Sequence, residues 1–142
     1  MTIITTYLRA MAKDLMVNWK KPSWSEEFKE MERTSEELGV PIILLKKSFE
    51  QGNMMQPLKS LLKSMENTDY NEVKTIEDVK RFADEYERNS DAIIDGFKQG
   101  KPMAAPIVAL RKGKRPYLIS GNTRLMVSKA LEIIPELYVI NL

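Results

Sequence analysis

The chain contains no cysteine and no histidine. Without cysteine there is no thiol nucleophile, no thiolate-bound zinc, no iron–sulfur cluster and no disulfide. A cysteine-free chain fits a reducing compartment, and a cytoplasmic location is the expectation. Without histidine the commonest general base and the commonest metal ligand are both missing. Acid–base chemistry would fall to Asp, Glu, Lys or Tyr. No apolar run approaches the roughly 18 residues of a membrane span. The first turns carry Arg9, Lys13 and Asp14 where a signal peptide would be apolar. A membrane partner is therefore not expected.

What is present suits one compact domain. The chain has 142 residues, 43% of them hydrophobic and 30% charged, enough apolar content for a core. Net charge is only +2, but it is unevenly spread. Residues 1–65 hold ten basic and eight acidic side chains, residues 66–95 four and ten, and residues 96–142 eight and two. The last third is thus basic beside an acidic neighbour. The two can steady each other, or the basic face can meet a nucleotide or a nucleic-acid backbone.

Residues 1–88 read as mainly helical. Ile4, Tyr7, Leu8, Met11, Leu15 and Met16 recur at three- and four-residue steps and predict a helix over 3–19. Ser23 and Glu26 have the spacing of a capping box for a second helix reaching Leu38, with Trp24, Phe28, Met31 and Leu38 inward and Gly39 as its stop. Val40–Leu45 is either an edge strand, since Pro41 is tolerated there, or a first helical turn. Residues 49–56 read as a loop, 57–65 as a short helix and 67–74 as a polar surface connection. Thr75 and Asp78 predict a capped helix to Glu87, and Asn89 or Ser90 caps another that ends at Gly100. A helical half of this kind is also a surface for a protein partner.

Residues 89–142 change character. Ala105–Leu110 is an apolar strand, 111–114 a tight polar turn and Arg115–Ser120 a second strand, so a hairpin is expected. A helix follows over 122–132, with Leu125, Met126, Ala130 and Leu131 or Ile133 inward. Pro135 ends it, and 137–142 is a last strand. The junction Ser120-Gly121-Asn122-Thr123-Arg124 is the candidate phosphate site. A helix start presents unpaired N–H groups and partial positive charge. Gly121 lets the backbone approach a ligand. Ser120 and Thr123 offer hydroxyls, and Asn122 a cap or a ligand bond. Arg124 adds a guanidinium fork that matches phosphate. Arg115 on the hairpin is a further candidate contact. Asp91 and Asp95 are the nearest upstream carboxylates, and so the candidates for binding metal or acting as base.

This order of pieces resembles the ParB/sulfiredoxin superfamily. The resemblance runs over Ser90–Gly100, Pro106-Ile107-Val108-Ala109, Arg115–Ser120, the Gly-x-x-Arg at Gly121–Arg124, Leu125–Ile133 and Leu137–Ile140. It implies an α+β fold: a small mixed β-sheet with flanking helices, here preceded by the helical half in a single domain. It also implies a nucleotide triphosphate (ATP or CTP with Mg²⁺) or a nucleic-acid phosphate held at Gly121 and Arg124. Phosphotransfer or nucleotide hydrolysis is the activity expected first. A non-enzymatic module binding DNA or RNA backbone or a protein stands second, and a nuclease third. Sulfiredoxins carry cysteine where Asn122 stands, so sulfinic-acid reduction is excluded. Thr123 stands where His or Arg is common. No helix-turn-helix follows the motif before Leu142, so a complete partition protein is not expected. A specialised module, of the kind found in phages or mobile elements, is.

Overall fold

A computed structural model describes residues 17–142. The helix expected over 3–19 lies outside these residues except at its end. There Asn18–Lys20 is a strand, β1, and not helix. It pairs in parallel with a second strand absent from the sequence reading, Pro102–Ala104 (β3), and Trp19 stands edge-on to Phe97 at 5.4 Å. The two strands are three residues each, too short for periodicity to register.

The main sheet contains β2 (Asn53–Met55), β4 (Ile107–Leu110), β5 (Tyr117–Ser120) and β6 (Leu137–Asn141), in the order β2-β6-β4-β5. β4 and β5 form the expected hairpin, closed by Lys114 N–H donating to Arg111 O at 3.1 Å. β6 returns parallel to β4, and β2 joins it antiparallel. The sheet is mixed and the fold α+β, as expected. β2 falls where a loop was predicted.

Alternation along the central strands sorts the core into two layers. Ile107, Ala109, Tyr117, Ile119, Tyr138 and Ile140 pack under α1 (Phe28–Leu38) and α2 (Ile42–Glu50), meeting Met31, Leu45 and Phe49. Val108, Leu118, Leu137 and Val139 face the other way, onto Leu62 and Met65 at α3 (Lys59–Ser64) and Leu125 of α6 (Asn122–Ala130). Both faces are covered, which is why these strands read as continuous apolar runs. A third cluster forms behind α6. There Met126 and Val127 meet α4 (Ile76–Glu85) and α5 (Ser90–Lys98) through Val79, Ile94 and Phe97. Helix α6 is thus buried on two sides.

Several local signals hold. Gly39 and Gly100 take left-handed backbone after α1 and α5. Thr75 and Asp78 make a complete capping box, and Asn89 caps α5. Ile42–Leu45 is the first turn of α2, with Pro41 at its N-cap, so the helical alternative holds and the edge strand does not. The capping box at Ser23 does not form. Ser23 Oγ meets Ser25 Oγ at 3.0 Å, residues 24–27 are a turn, and Glu27 stands at the N-cap of α1. Of the residues expected inward there, Met31 is fully buried, Trp24 and Leu38 partly so, and Phe28 is exposed. Among the described residues no helix is long and apolar enough to cross a membrane.

Candidate functional site

The end of β5 and the start of α6 face the N-terminal end of α1 across an open cleft of about 980 Å³. The register of β4 on β5 slips between Ile107 and Val108, so Ser120 and Leu118 pair with successive residues and Ile119 is extra. Such a bulge re-aims side chains. Ile119 packs beneath α1, and Ser120 Oγ donates to a carboxylate oxygen of Glu27 at the start of that helix. Two consecutive side chains therefore face one layer, which a regular strand does not allow.

Gly121 follows with φ 98° and ψ 23°. A Cβ here would lie 2.8 Å from both Cα and Cβ of Pro106. Glycine is thus required for a left-handed bend and for close approach to Pro106. On the side where a Cβ would stand, Gly121 lies against the chain's own entry into β4, and it also lines the cleft.

Asn122 opens α6 but makes no cap. Its Oδ1 accepts from Thr68 Oγ1 at 2.7 Å and from Asp69 N–H at 3.2 Å, and its Nδ2 donates to Asp69 Oδ2 at 2.9 Å. The segment over 67–74, expected as a plain surface connection, is clasped to the helix start by these three bonds. Val73, in the same segment, is fully buried. Thr123 lines the cleft.

Arg124 is turned inward. One guanidinium nitrogen donates to Ala104 O. The other reaches Glu27 Oε1 at 3.2 Å and Ser120 Oγ at 3.4 Å. The Arg124 and Glu27 side chains are 15% and 12% exposed, so this is a largely buried ion pair. A carboxylate of the chain itself already meets the fork that sequence reasoning offered to phosphate. No local signal marks Glu27 for this role, since it lies 97 residues from Arg124.

The remaining candidates are elsewhere. Arg115 donates from Nε to Ser64 O at 2.8 Å, outside the cleft lining. Asp91, 77% exposed, stands 3.9 Å from Lys80. Asp95 is also exposed on α5, and neither carboxylate lines the cleft. The structure therefore brings Ser120–Arg124 together and leaves Arg115, Asp91 and Asp95 apart from them.

The cleft is of mixed sign. Glu26, Glu27, Glu30, Glu37 and Asp69 line it, with Lys29, Arg33, Arg88 and Arg124. Glu30 pairs with Arg33 and, at 3.7 Å, with Arg88. Glu37 accepts from the Tyr117 hydroxyl, and burial followed by this bond pushes the phenol up to about 12. A bond to the Asp69 carboxylate likewise raises Tyr86. Among the described residues no three acidic side chains converge to hold a metal ion.

The fold and the site define an α+β protein with an uncapped helix start opening into a cleft of mixed sign. Comparison of the chain with protein-family models, with curated proteins and with solved structures finds no match.

Proposed function

We propose that the protein binds the phosphates of a nucleotide in the cleft at the start of α6, in the manner of the ParB/sulfiredoxin superfamily. The observation that carries this reading is the helix start itself. α6 begins at Asn122 without a side-chain cap, and its first turn opens into a cleft of about 980 Å³. That volume lies at the top of the range of roughly 300–1,000 Å³ typical of ligand sites. Uncapped N–H groups and the helix dipole favour an anion there. The hairpin, Gly-x-x-Arg, helix and parallel return strand follow the order that the family resemblance implies.

The acidic side chains shape the choice of ligand. Glu27 and Asp69 flank the helix start, so a bare anion would meet repulsion. A magnesium nucleotide suits the mixed rim better, its cation carried on its own phosphates and needing few protein ligands. When bound, that cation would supply charge neutralisation between phosphate and carboxylate. ATP and CTP are the nucleotides to test.

Thermal stabilisation by ATP or CTP, with and without Mg²⁺, tests the proposal. The informative variant is Thr123→Glu. An acidic residue in the first turn of a helix is neutral or stabilising for the fold, by about 0.3–1 kcal/mol. The same carboxylate would repel a phosphate. The dipole favours the new carboxylate while Glu27 and Asp69 oppose it, so the unliganded variant should melt close to the wild-type temperature and lose the nucleotide shift. An equal shift in both proteins, or none in the wild type with any nucleotide, overturns the assignment.

A further inference from the structure

A second charged surface lies at the opposite end of α6. Lys129, in the last turn of that helix, donates from Nζ to Tyr70 O at 2.7 Å and stands 4.8 Å over the Tyr70 ring. Tyr70 opens the short turn Tyr70–Glu72. Asn71 of this turn donates from Nδ2 to Lys63 O at 2.7 Å, which ties the last turn of α3 to the same place. Lys74 lies two residues beyond the turn. Lys129 and the backbone of Lys63 are thus held at one turn, with Lys74 two residues beyond it. Lys129 is pulled below its usual value, first by burial and then by Lys63 and Lys74. None of the three forms an ion pair with a carboxylate among the described residues.

Two carboxylates close to these lysines in sequence are engaged elsewhere, Glu66 by Arg111 at 3.4 Å and Asp78 at the start of α4. Asp78 is turned into the cap of α4, accepting from Lys74 N–H at 2.9 Å and Thr75 N–H at 3.1 Å, and it pairs with Arg81 at 3.5 Å. The basic surface continues from Lys63. Arg115 donates to Ser64 O at 2.8 Å and to Met65 O at 3.4 Å, which docks the base of the β4–β5 hairpin onto the end of α3. Lys112 and Lys114 are exposed at the tip of that hairpin.

We infer that this band, from Lys129 through Lys74 and Lys63 to Arg115, Lys114 and Lys112, is a docking face for a nucleic-acid backbone. It is independent of the nucleotide reading of the cleft. Cations strung along a strip match a chain of regularly placed phosphates better than they match one anion. Lysines on flexible stems take phosphate as point charges in many orientations. The Tyr70 ring is covered by the Lys129 ammonium and offers no platform for base stacking. Binding is therefore to phosphate and is sequence-independent.

The test is fluorescence anisotropy of the whole chain with labelled duplex and single-stranded 20-mers of mixed sequence, at 50–200 mM KCl. The plot of log affinity against log salt should fall with a slope of roughly −5 for duplex, the six cations each contributing about −0.9. Lys63→Glu with Lys74→Glu should reduce that slope by about 2 and the affinity at least roughly tenfold. Lys46→Glu with Lys47→Glu, exposed on α2 across the sheet, changes net charge equally and should alter neither. Thr123→Glu should also leave nucleic-acid binding unchanged, which separates this face from the cleft. Absence of binding at the lowest salt overturns the inference, as does a flat salt dependence or an equal loss in the control pair. Poly-glutamate bound as tightly as the oligonucleotides would reassign the face to acidic proteins and equally overturn it.

Discussion

Replacing Glu27 by Gln isolates the charge of the pair with Arg124 while keeping its shape. Gln retains a carbonyl that can accept from Ser120 Oγ and from the guanidinium, and the side-chain volume barely changes. What disappears is the counter-charge 3.2 Å from the Arg124 guanidinium, between groups 12% and 15% exposed. The gross attraction at that distance is about 5 kcal/mol for an effective dielectric constant near 20. Desolvation of the two ions offsets part of it in the wild type. Removing one ion from a buried pair typically costs 3–5 kcal/mol, because the other stays behind uncompensated. The retained amide acceptor and Ala104 O place Glu27→Gln at the low end, at about 3 kcal/mol. For a chain of this length that corresponds to a fall in melting temperature of roughly 6–12 °C. Urea denaturation should give a lower midpoint at unchanged m-value. The same change frees Arg124 for another anion, so nucleotide affinity should rise and saturating nucleotide should recover part of the lost stability. A variant within about 0.5 kcal/mol of wild type would refute the energetic role of the pair. A variant that binds nucleotide more weakly would make Glu27 part of the binding surface and not a competitor for it.

Gly121→Ala should destabilise by about 2–4 kcal/mol, combining left-handed strain with the 2.8 Å approach to Pro106, as read by chemical denaturation. An effect under about 0.5 kcal/mol would show that the bend relaxes freely. Tyr117, raised to about 12 by burial and the Glu37 bond, binds its proton more tightly folded than unfolded. Its contribution is fully present below the ordinary tyrosine value near 10 and is lost as pH rises from there to about 12. Tyr117→Phe should flatten that alkaline decline, by on the order of 2 kcal/mol across the window, when stability is titrated between pH 9 and 12. An unchanged decline would place its origin elsewhere.

Signals within one turn of helix or one hairpin were legible in the sequence. Gly39, Thr75 with Asp78, Asn89 and the Arg111–Lys114 turn all act over a few residues, where local sterics and side-chain bonds decide the conformation. The central strands were legible because both of their faces are buried. The three-residue strands were not. β2 is defined by pairing with β6 from over 80 residues away, and β1 by pairing with β3. Ser23 and Glu26 had the right spacing for a cap, yet the carboxylate that matters is its neighbour Glu27, drawn to Arg124 and Ser120. Proximity of that kind is a tertiary outcome, and no local pattern encodes it.

The same distinction alters the meaning of the Gly-x-x-Arg segment. Read locally, every residue in it can serve an anion. In the folded chain three of the four have structural engagements: Gly121 with Pro106, Asn122 with Thr68 and Asp69, and Arg124 with Glu27 and Ala104. Only the uncapped N–H groups and Thr123 face the cleft without such a bond among the described residues. An anion there would be held first by backbone dipoles and would gain Arg124 only by displacing Glu27. Since a ligand shifts an equilibrium only by its differential affinity for the two arrangements, the Glu27–Arg124 pair sets how tightly phosphate must bind before the guanidinium joins it. In wild type the resulting affinity should be modest, and Glu27→Gln is the change that should raise it.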